Sequence, residues 1–174
     1  MNEYTLPEIH SSFNIRRVVT PAAESDLKLT SYTNYALRIL QMAAICAPHL
    51  VRIDEVAQAH GINRAHLTKI VHQLGQAGYL ETVRGPRGGL RLARPADEIL
   101  VGDVVRLTEG PLDVVECFSA DRNSCKLRGI CQLSTKLQEA TLAFMAVLDG
   151  LSVAEIASNR TDLLARMGLS ELAT

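Results

Sequence analysis

The stretch from Ile53 to Arg94, IDEVAQAHGINRAHLTKIVHQLGQAGYLETVRGPRGGLRLAR, decides the fold. Ile53–Ala59 and Arg64–Ala77 carry apolar residues at helical spacing, separated by the short turn Gly61-Ile62-Asn63. Val56, Ala57, Ile62, Leu67, Ile70, Val71 and Leu74 are placed to pack together, which is a helix-turn-helix pattern. Two short alternating runs follow, Tyr79–Val83 and Leu90–Ala93, on either side of the turn Arg84-Gly85-Pro86-Arg87-Gly88-Gly89. A hairpin placed directly after a helix-turn-helix reads as a wing. The expected class is therefore mainly α with a small β wing: a winged helix-turn-helix domain followed by a long C-terminal dimerisation helix.

Upstream, residues 1–26 contain Pro7 and Pro21 and hold no sustained period, so they read as a disordered extension ahead of a DNA-binding unit over 27–95. Within that unit Thr30 or Ser31 can cap a first helix that carries Ala36, Ile39, Leu40 and Ala43 on one face and ends before Pro48. Downstream, residues 96–132 read as a linker helix over Asp97–Thr108, interrupted by Gly102, and then a polar loop bearing cysteines. Leu133–Leu148 is the long helix, with Leu133, Leu137, Ala140, Phe144, Val147 and Leu151 repeating at heptad-like spacing against Ser134, Lys136, Gln138 and Glu139. Ser152 can cap a further short helix over Val153–Ala157, closing a unit over 133–158, and 159–174 reads as a flexible tail.

Total charge does not mark a nucleic-acid binder, because the chain of 174 residues is nearly neutral, with a formal charge of -1. Its distribution does. Val51–Arg94 holds 7 Lys/Arg against 3 acids, an excess of 4, whereas Val101 onward holds 10 acids and 7 bases. No run approaches the roughly 20 apolar residues of a membrane span. The N-terminus carries Glu3 and Glu8 without the apolar core of a secretory signal, so a cytoplasmic protein is expected.

In a helix-turn-helix the second helix presents its first turns to the base edges of the major groove. That makes Asn63, Arg64, His66, Thr68 and Lys69 the candidate base and phosphate contacts, with Arg84, Arg87 and Arg91 added by the wing. The plain alternative is a solvated basic face on a helical hairpin, which the adjoining wing disfavours. Gly85–Gly89 is not read as a phosphate-cradling loop, because such loops open a helix and here a second strand follows.

Four cysteines in a reducing compartment do not suggest a disulfide framework. Cys46 lies one heptad after Ile39 on the apolar face of the first helix and reads as packing. Cys117, Cys125 and Cys131 have seven and five residues between them, which matches neither the paired spacing of zinc sites nor a dithiol redox motif. The residues alone leave an iron-sulfur cluster, zinc and a thiol switch open. An enzyme is not expected, since no nucleotide loop, no Cys-x-x-Cys and no His/acid pair placed for catalysis is present.

Several stretches together resemble the Rrf2 family of winged-helix regulators: Leu29-Thr30, Thr33-Asn34-Tyr35-Ala36-Leu37-Arg38, Val83-Arg84-Gly85 with Gly88-Gly89, Gly102-Asp103-Val104-Val105, and Glu116-Cys117 with two later cysteines. The likeness runs from about Leu27 to Asn159. It implies a homodimer crossed through the long C-terminal helices, a cluster loop near the partner's DNA-binding unit, and binding to double-stranded operator DNA. Resemblance to the nitric-oxide-sensing repressors of that family implies that Cys117, Cys125 and Cys131 ligate an iron-sulfur cluster, of the 4Fe-4S rather than the 2Fe-2S type. Nitric oxide would then nitrosylate the cluster and release promoters of detoxification genes. Asn34 stands where such members can carry an Asp as fourth ligand; water, Glu116 or no protein ligand are the other options. Asn there also resembles iron-responsive members, whereas Arg64-Ala65-His66-Leu67 with Lys69-Ile70 is nearer the nitric-oxide sensors.

Overall fold

The computed structural model describes residues 28–118 and 124–173, so the extension expected over 1–26 and the middle of the cysteine loop lie outside the described residues. The order along the chain is α1 (Ser31–Cys46), α2 (Ile53–His60), α3 (Arg64–Gln76), β1 (Leu80–Val83), β2 (Gly89–Leu92), α4 (Val101–Glu109), α5 (Gln132–Asp149), α6 (Val153–Ile156) and α7 (Arg160–Arg166). Single 3-10 turns occupy Ala96–Glu98, Glu116–Phe118 and Ser170–Ala173.

Thr30 caps α1, its hydroxyl accepting the Thr33 N–H at 3.3 Å. The apolar face expected on this helix is buried, Cys46 included, but Thr33, Met42 and Ile45 are buried too. The reason is position: α1 packs against α3, β2, α4, α6 and α7. Two apolar faces need two layers of cover, and the chain returns to supply the second.

That return corrects the reading of 159–174 as a flexible tail. The segment forms α7 and a terminal 3-10 turn, and Leu164 is fully buried in the main core. Leu163, Leu164, Met167 and Leu169 form a small apolar set that is too short to show a clear period. Polar anchors reinforce it: Arg160 Nε donates to the Ile45 carbonyl at 2.6 Å, near the C-terminus of α1 where a cation is favoured. Gln41 Nε2 donates to the Ile156 carbonyl at 2.5 Å. Ser152 caps α6 in a reciprocal box, its hydroxyl accepting the Glu155 N–H while the Glu155 carboxylate accepts the Ser152 N–H at 2.8 Å. The Ser152 backbone and hydroxyl donors hold the Glu155 carboxyl below its usual range.

The hairpin pairs in antiparallel register, Leu80 opposite Leu92 and Glu81 opposite Arg91. Val51 adds a bridge to Leu90, with backbone bonds of 3.0 and 2.7 Å. A Cβ at Gly89 would stand 2.9 Å from the Val51 carbonyl oxygen, and one at Gly88 would overlap the Val83 carbonyl. The wing therefore needs glycine at both positions for close backbone approach.

The expected helix over Asp97–Thr108 divides into the 3-10 turn Ala96–Glu98 and α4. Gly102 is not a weak point in α4 but a place of contact, since a Cβ there would overlap the Asp149 carboxylate at the end of α5. That close approach lets Arg106 bind Asp149 end-on, Nη1 and Nη2 to Oδ1 and Oδ2 at 2.6 Å each. The pair holds the Asp149 carboxyl below its usual range and raises the Arg106 guanidinium.

Leu164→Ala is expected to lower the unfolding free energy by about 2–5 kcal/mol, as a cavity in a closed core does; urea titration measures it, and a loss under about 0.5 kcal/mol, typical of a surface site, would show that α7 is not part of that core. His60, at the end of α2, is held below its ordinary 6.5 by burial and then by the Arg38 charge. Below that ordinary value the unfolded chain takes up a proton that the folded chain refuses, so stability is full above it and falls as pH drops towards the folded value. The melting temperature should therefore decline on acidification from neutral pH, and His60→Gln should flatten that decline.

Candidate functional site

The exposed side of α3 begins at its cap. Asn63 Oδ1 accepts the Ala65 N–H at 2.8 Å, which starts the helix and commits that oxygen. From there Leu67, Ile70, Val71 and Leu74 turn into the core, while Arg64, His66, Thr68 and Lys69 stay exposed with Asn63. Thr68 donates its hydroxyl to the Arg64 carbonyl at 3.0 Å. The helix is fixed from behind: the Tyr32 hydroxyl donates to Gln73 Oε1 at 2.6 Å, and Gln73 Nε2 donates to the Leu107 carbonyl at 3.0 Å. α1, α3 and α4 are thus tied through one amide.

Arg84, Arg87 and Arg91 are all exposed on the wing. The eight candidates are not equivalent, however. Arg64 Nη1 lies 2.9 and 3.1 Å from the two carboxylate oxygens of Asp54 on α2. Arg91 Nε and Nη2 both lie 2.9 Å from Glu81 Oε2, straight across the hairpin. Among the described residues Lys69, Arg84 and Arg87 have no ion-pair partner. Sequence reasoning missed Asp54 and Glu81. Glu81 was legible once the hairpin register was drawn, because opposed residues on paired strands interact. Asp54 was not, since its ten-residue separation from Arg64 spans the turn and follows no helical spacing.

The three cysteines come from three local structures. Cys117 sits in the 3-10 turn Glu116–Phe118, Cys125 precedes a turn over 126–130, and Cys131 is the cap residue of α5, its carbonyl accepting the Ser134 hydroxyl at 2.8 Å. No disulfide joins them. They line one cavity of about 400 Å³ with Leu112, Phe118, Arg128 and the α5 residues Ser134, Gln138, Thr141 and Leu142. Asn34 is exposed on α1 and is not among the lining residues.

The donor set fits some metal centres better than others. Among the described residues no three His, Cys, Asp or Glu side chains converge on a point where one metal ion could sit. A single zinc needs its sulfurs converged at about 2.3 Å. Cysteines that bind different irons of one cluster can instead line a cavity, as Cys117, Cys125 and Cys131 do. Soft sulfur donors suit such a cluster, and the mixed lining sets hydrogen-bonding side chains, Arg128, Ser134, Gln138 and Thr141, beside apolar ones.

α5 also exposes apolar surface away from the cavity. Leu133, Phe144 and Val147 lie open on it at 66%, 45% and 72% exposure, and Ile130 at the end of the cysteine loop reaches 78%. Met145 is the buried residue of the helix. Among the described residues no helix is long and apolar enough to cross a membrane.

A helix-turn-helix braced from behind, with a basic wing beside it, defines the class: a winged-helix DNA-binding protein. Residues 29–159 match the model of the Rrf2 family, described as an iron-dependent transcriptional regulator. The chain is 40% identical to the HTH-type transcriptional regulator NsrR of Bacillus subtilis (strain 168), over 83% of this chain and 100% of that one. It is 45% identical to the regulator of the same name from Geobacillus kaustophilus (strain HTA426), over 79% and 94%. Among solved structures it is similar to CymR, the global cysteine regulator of B. subtilis, with a TM-score of 0.60 and 28% identity over 76% of this chain and 97% of that one. The chain belongs to the Rrf2 family, and it is a transcriptional regulator, not an enzyme.

Arg87→Ala is expected to weaken DNA binding and to reduce the slope of log affinity against log salt by about one unit, as loss of one phosphate contact does. A salt titration that superimposes on wild type would remove Arg87 from the interface.

Proposed function

We propose that the chain is a homodimeric repressor whose operator affinity depends on a 4Fe-4S cluster held by Cys117, Cys125 and Cys131, with nitric oxide as its signal. The observation that carries this reading is the gathering of the three cysteines at one cavity, walled by the same helix that exposes an apolar stripe. Relatives named NsrR, matched over nearly their whole length, support it. When bound, the cluster supplies iron that nitric oxide can attack.

The chain's own residues then do the rest. The thiolates of three separate turns would tie Glu116–Phe118, the 126–130 turn and the start of α5 into one body. Ser134, Gln138, Thr141 and Leu142 wall the cavity, while Leu133, Phe144 and Val147 on the same helix are available to a second copy. α5 has 18 residues and so is about 27 Å long, enough for several turns of a paired-helix seam. Its far end is locked to α4 by Asp149 and Arg106, and α4 packs on α1, which carries α3. Loosening of the cysteine loop would thereby shift α5 and the separation of the two reading helices. Paired half-sites demand about 34–36 Å between those helices, so a small shift suffices to release DNA. Asn34, exposed at the start of α1, would reach a cluster only from the partner copy, and its neutral amide makes it a weaker ligand than a carboxylate. Asn at this position also resembles iron-responsive members of the family, which makes an iron-responsive regulator the second reading.

The test is anaerobic purification with visible spectroscopy and iron and sulfide analysis, then nitric oxide titration while operator binding is followed. The expected result is a coloured protein whose absorption bleaches in step with DNA release, and a Cys125→Ala variant that neither holds the chromophore nor responds. Release on iron chelation alone would favour the iron-responsive reading, and a colourless protein after anaerobic reconstitution would overturn the cluster.

A further inference from the structure

Two arginines of the DNA-facing surface are held by carboxylates, and they are held differently. An arginine reads guanine by presenting two parallel N–H donors to O6 and N7, a geometry that needs an orderly guanidinium edge. Arg91 has already given its Nε–Nη2 edge to Glu81, both nitrogens lying 2.9 Å from one oxygen. Arg64 is held by the opposite end, with Nη1 at 2.9 and 3.1 Å from the two oxygens of Asp54. Its Nε and Nη2 have no other partner among the described residues.

We propose that Asp54 is a positioning residue for sequence recognition: it grips Arg64 by Nη1 and so presents the Nε–Nη2 edge of the first recognition-helix residue to a guanine. This rests on the reading that the start of α3 meets base edges. In water the pair contributes little, since both side chains are well over half exposed. Its weight appears on docking, when DNA excludes solvent and an arginine already held in one orientation loses less freedom. Two features of the sequence make the grip available. Asp54 lies in the first turn of α2, where an acid is favoured by the helix dipole, and Arg64 is the first residue of α3.

The experiment uses the full chain, purified anaerobically. Duplexes recovered from a randomised pool by the wild-type protein are replaced one base pair at a time, and binding of wild type, Asp54→Ala and Arg64→Ala is titrated against each and against salt. Wild type should discriminate against loss of one guanine per half-site by roughly 5- to 150-fold, the worth of a bidentate contact. Arg64→Ala should abolish that discrimination. Asp54→Ala should reduce it by about threefold, within what an exposed pair can contribute, while binding to unrelated duplex holds or rises, and its salt slope should steepen by about one unit as a freed guanidinium turns to phosphate. A merely structural role for Asp54 would weaken all duplexes alike. If Arg64→Ala removes the guanine preference and Asp54→Ala leaves both preference and salt slope at wild type, the positioning role is overturned and base reading by α3 stands. If Arg64→Ala changes no base preference, the reading of Arg64 itself fails and the proposal with it.

Discussion

Helix α1 is buried on both of its apolar sides, and most of the architecture is a response to that fact. Ala36, Ile39, Leu40, Met42, Ala43, Ile45 and Cys46 are all within a few per cent of complete burial, and Thr33 is buried beside them. Burying a hydroxyl requires a partner, and Thr33 donates to Thr108 Oγ1 at 2.7 Å, which in turn donates to the Val104 carbonyl at 2.8 Å. The N-terminus of α1 is therefore stitched to the C-terminal turn of α4, where the Glu109 carboxylate also accepts the Thr30 N–H at 2.7 Å. α1 carries α3 and the β2 strand of the wing. It also carries the helix that leads to the cysteine cavity.

The crossing of α4 and α5 is the second joint between these halves. Glycine at position 102 allows the end of α5 to come within reach of Arg106, and the end-on pair with Asp149 closes the gap. Just beyond it, the backbone of Val101 donates to the Leu151 carbonyl and that of Val153 to the Ile99 carbonyl, both at 2.8 Å. Movement at this end of α5 thus meets backbone bonding and a charged fork, while at its other end the cap residue is Cys131 itself. The helix is firmly held where it meets the core and depends on the cysteine loop where it leaves it.

The charges on the exposed side of α3 and the wing follow similar economy. Carboxylates at Asp54 and Glu81 reduce the nominal excess of positive charge between Val51 and Arg94, and they do so at chosen arginines. Lys69, Arg84 and Arg87 remain exposed and without an ion-pair partner among the described residues. Ion-paired and unpaired cations thus stand side by side on one surface.

Much of this was legible in the sequence because it is local. The helical period over Arg64–Ala77, the glycine-rich turn between two alternating runs, the Thr30 and Ser152 caps and the burial of Cys46 each depend on neighbours within a few residues, and each appears where the pattern places it. The cysteines were recognisable as a set, but their spacing named no centre. Only the fold brought Cys117, Cys125 and Cys131 to one cavity wall. Tertiary structure alone also decided that α7 packs against α1, that Gly102 is a contact and not a break, and that Asp54 pairs with Arg64. In each case the partner lies on another element, at a separation no helix or strand period encodes. The sequence by itself determined the helix-turn-helix, its wing and the long C-terminal helix, and the inward face of α3. What those elements bring together was settled by the burial of α1 on two sides, which drew the C-terminal helices back across it.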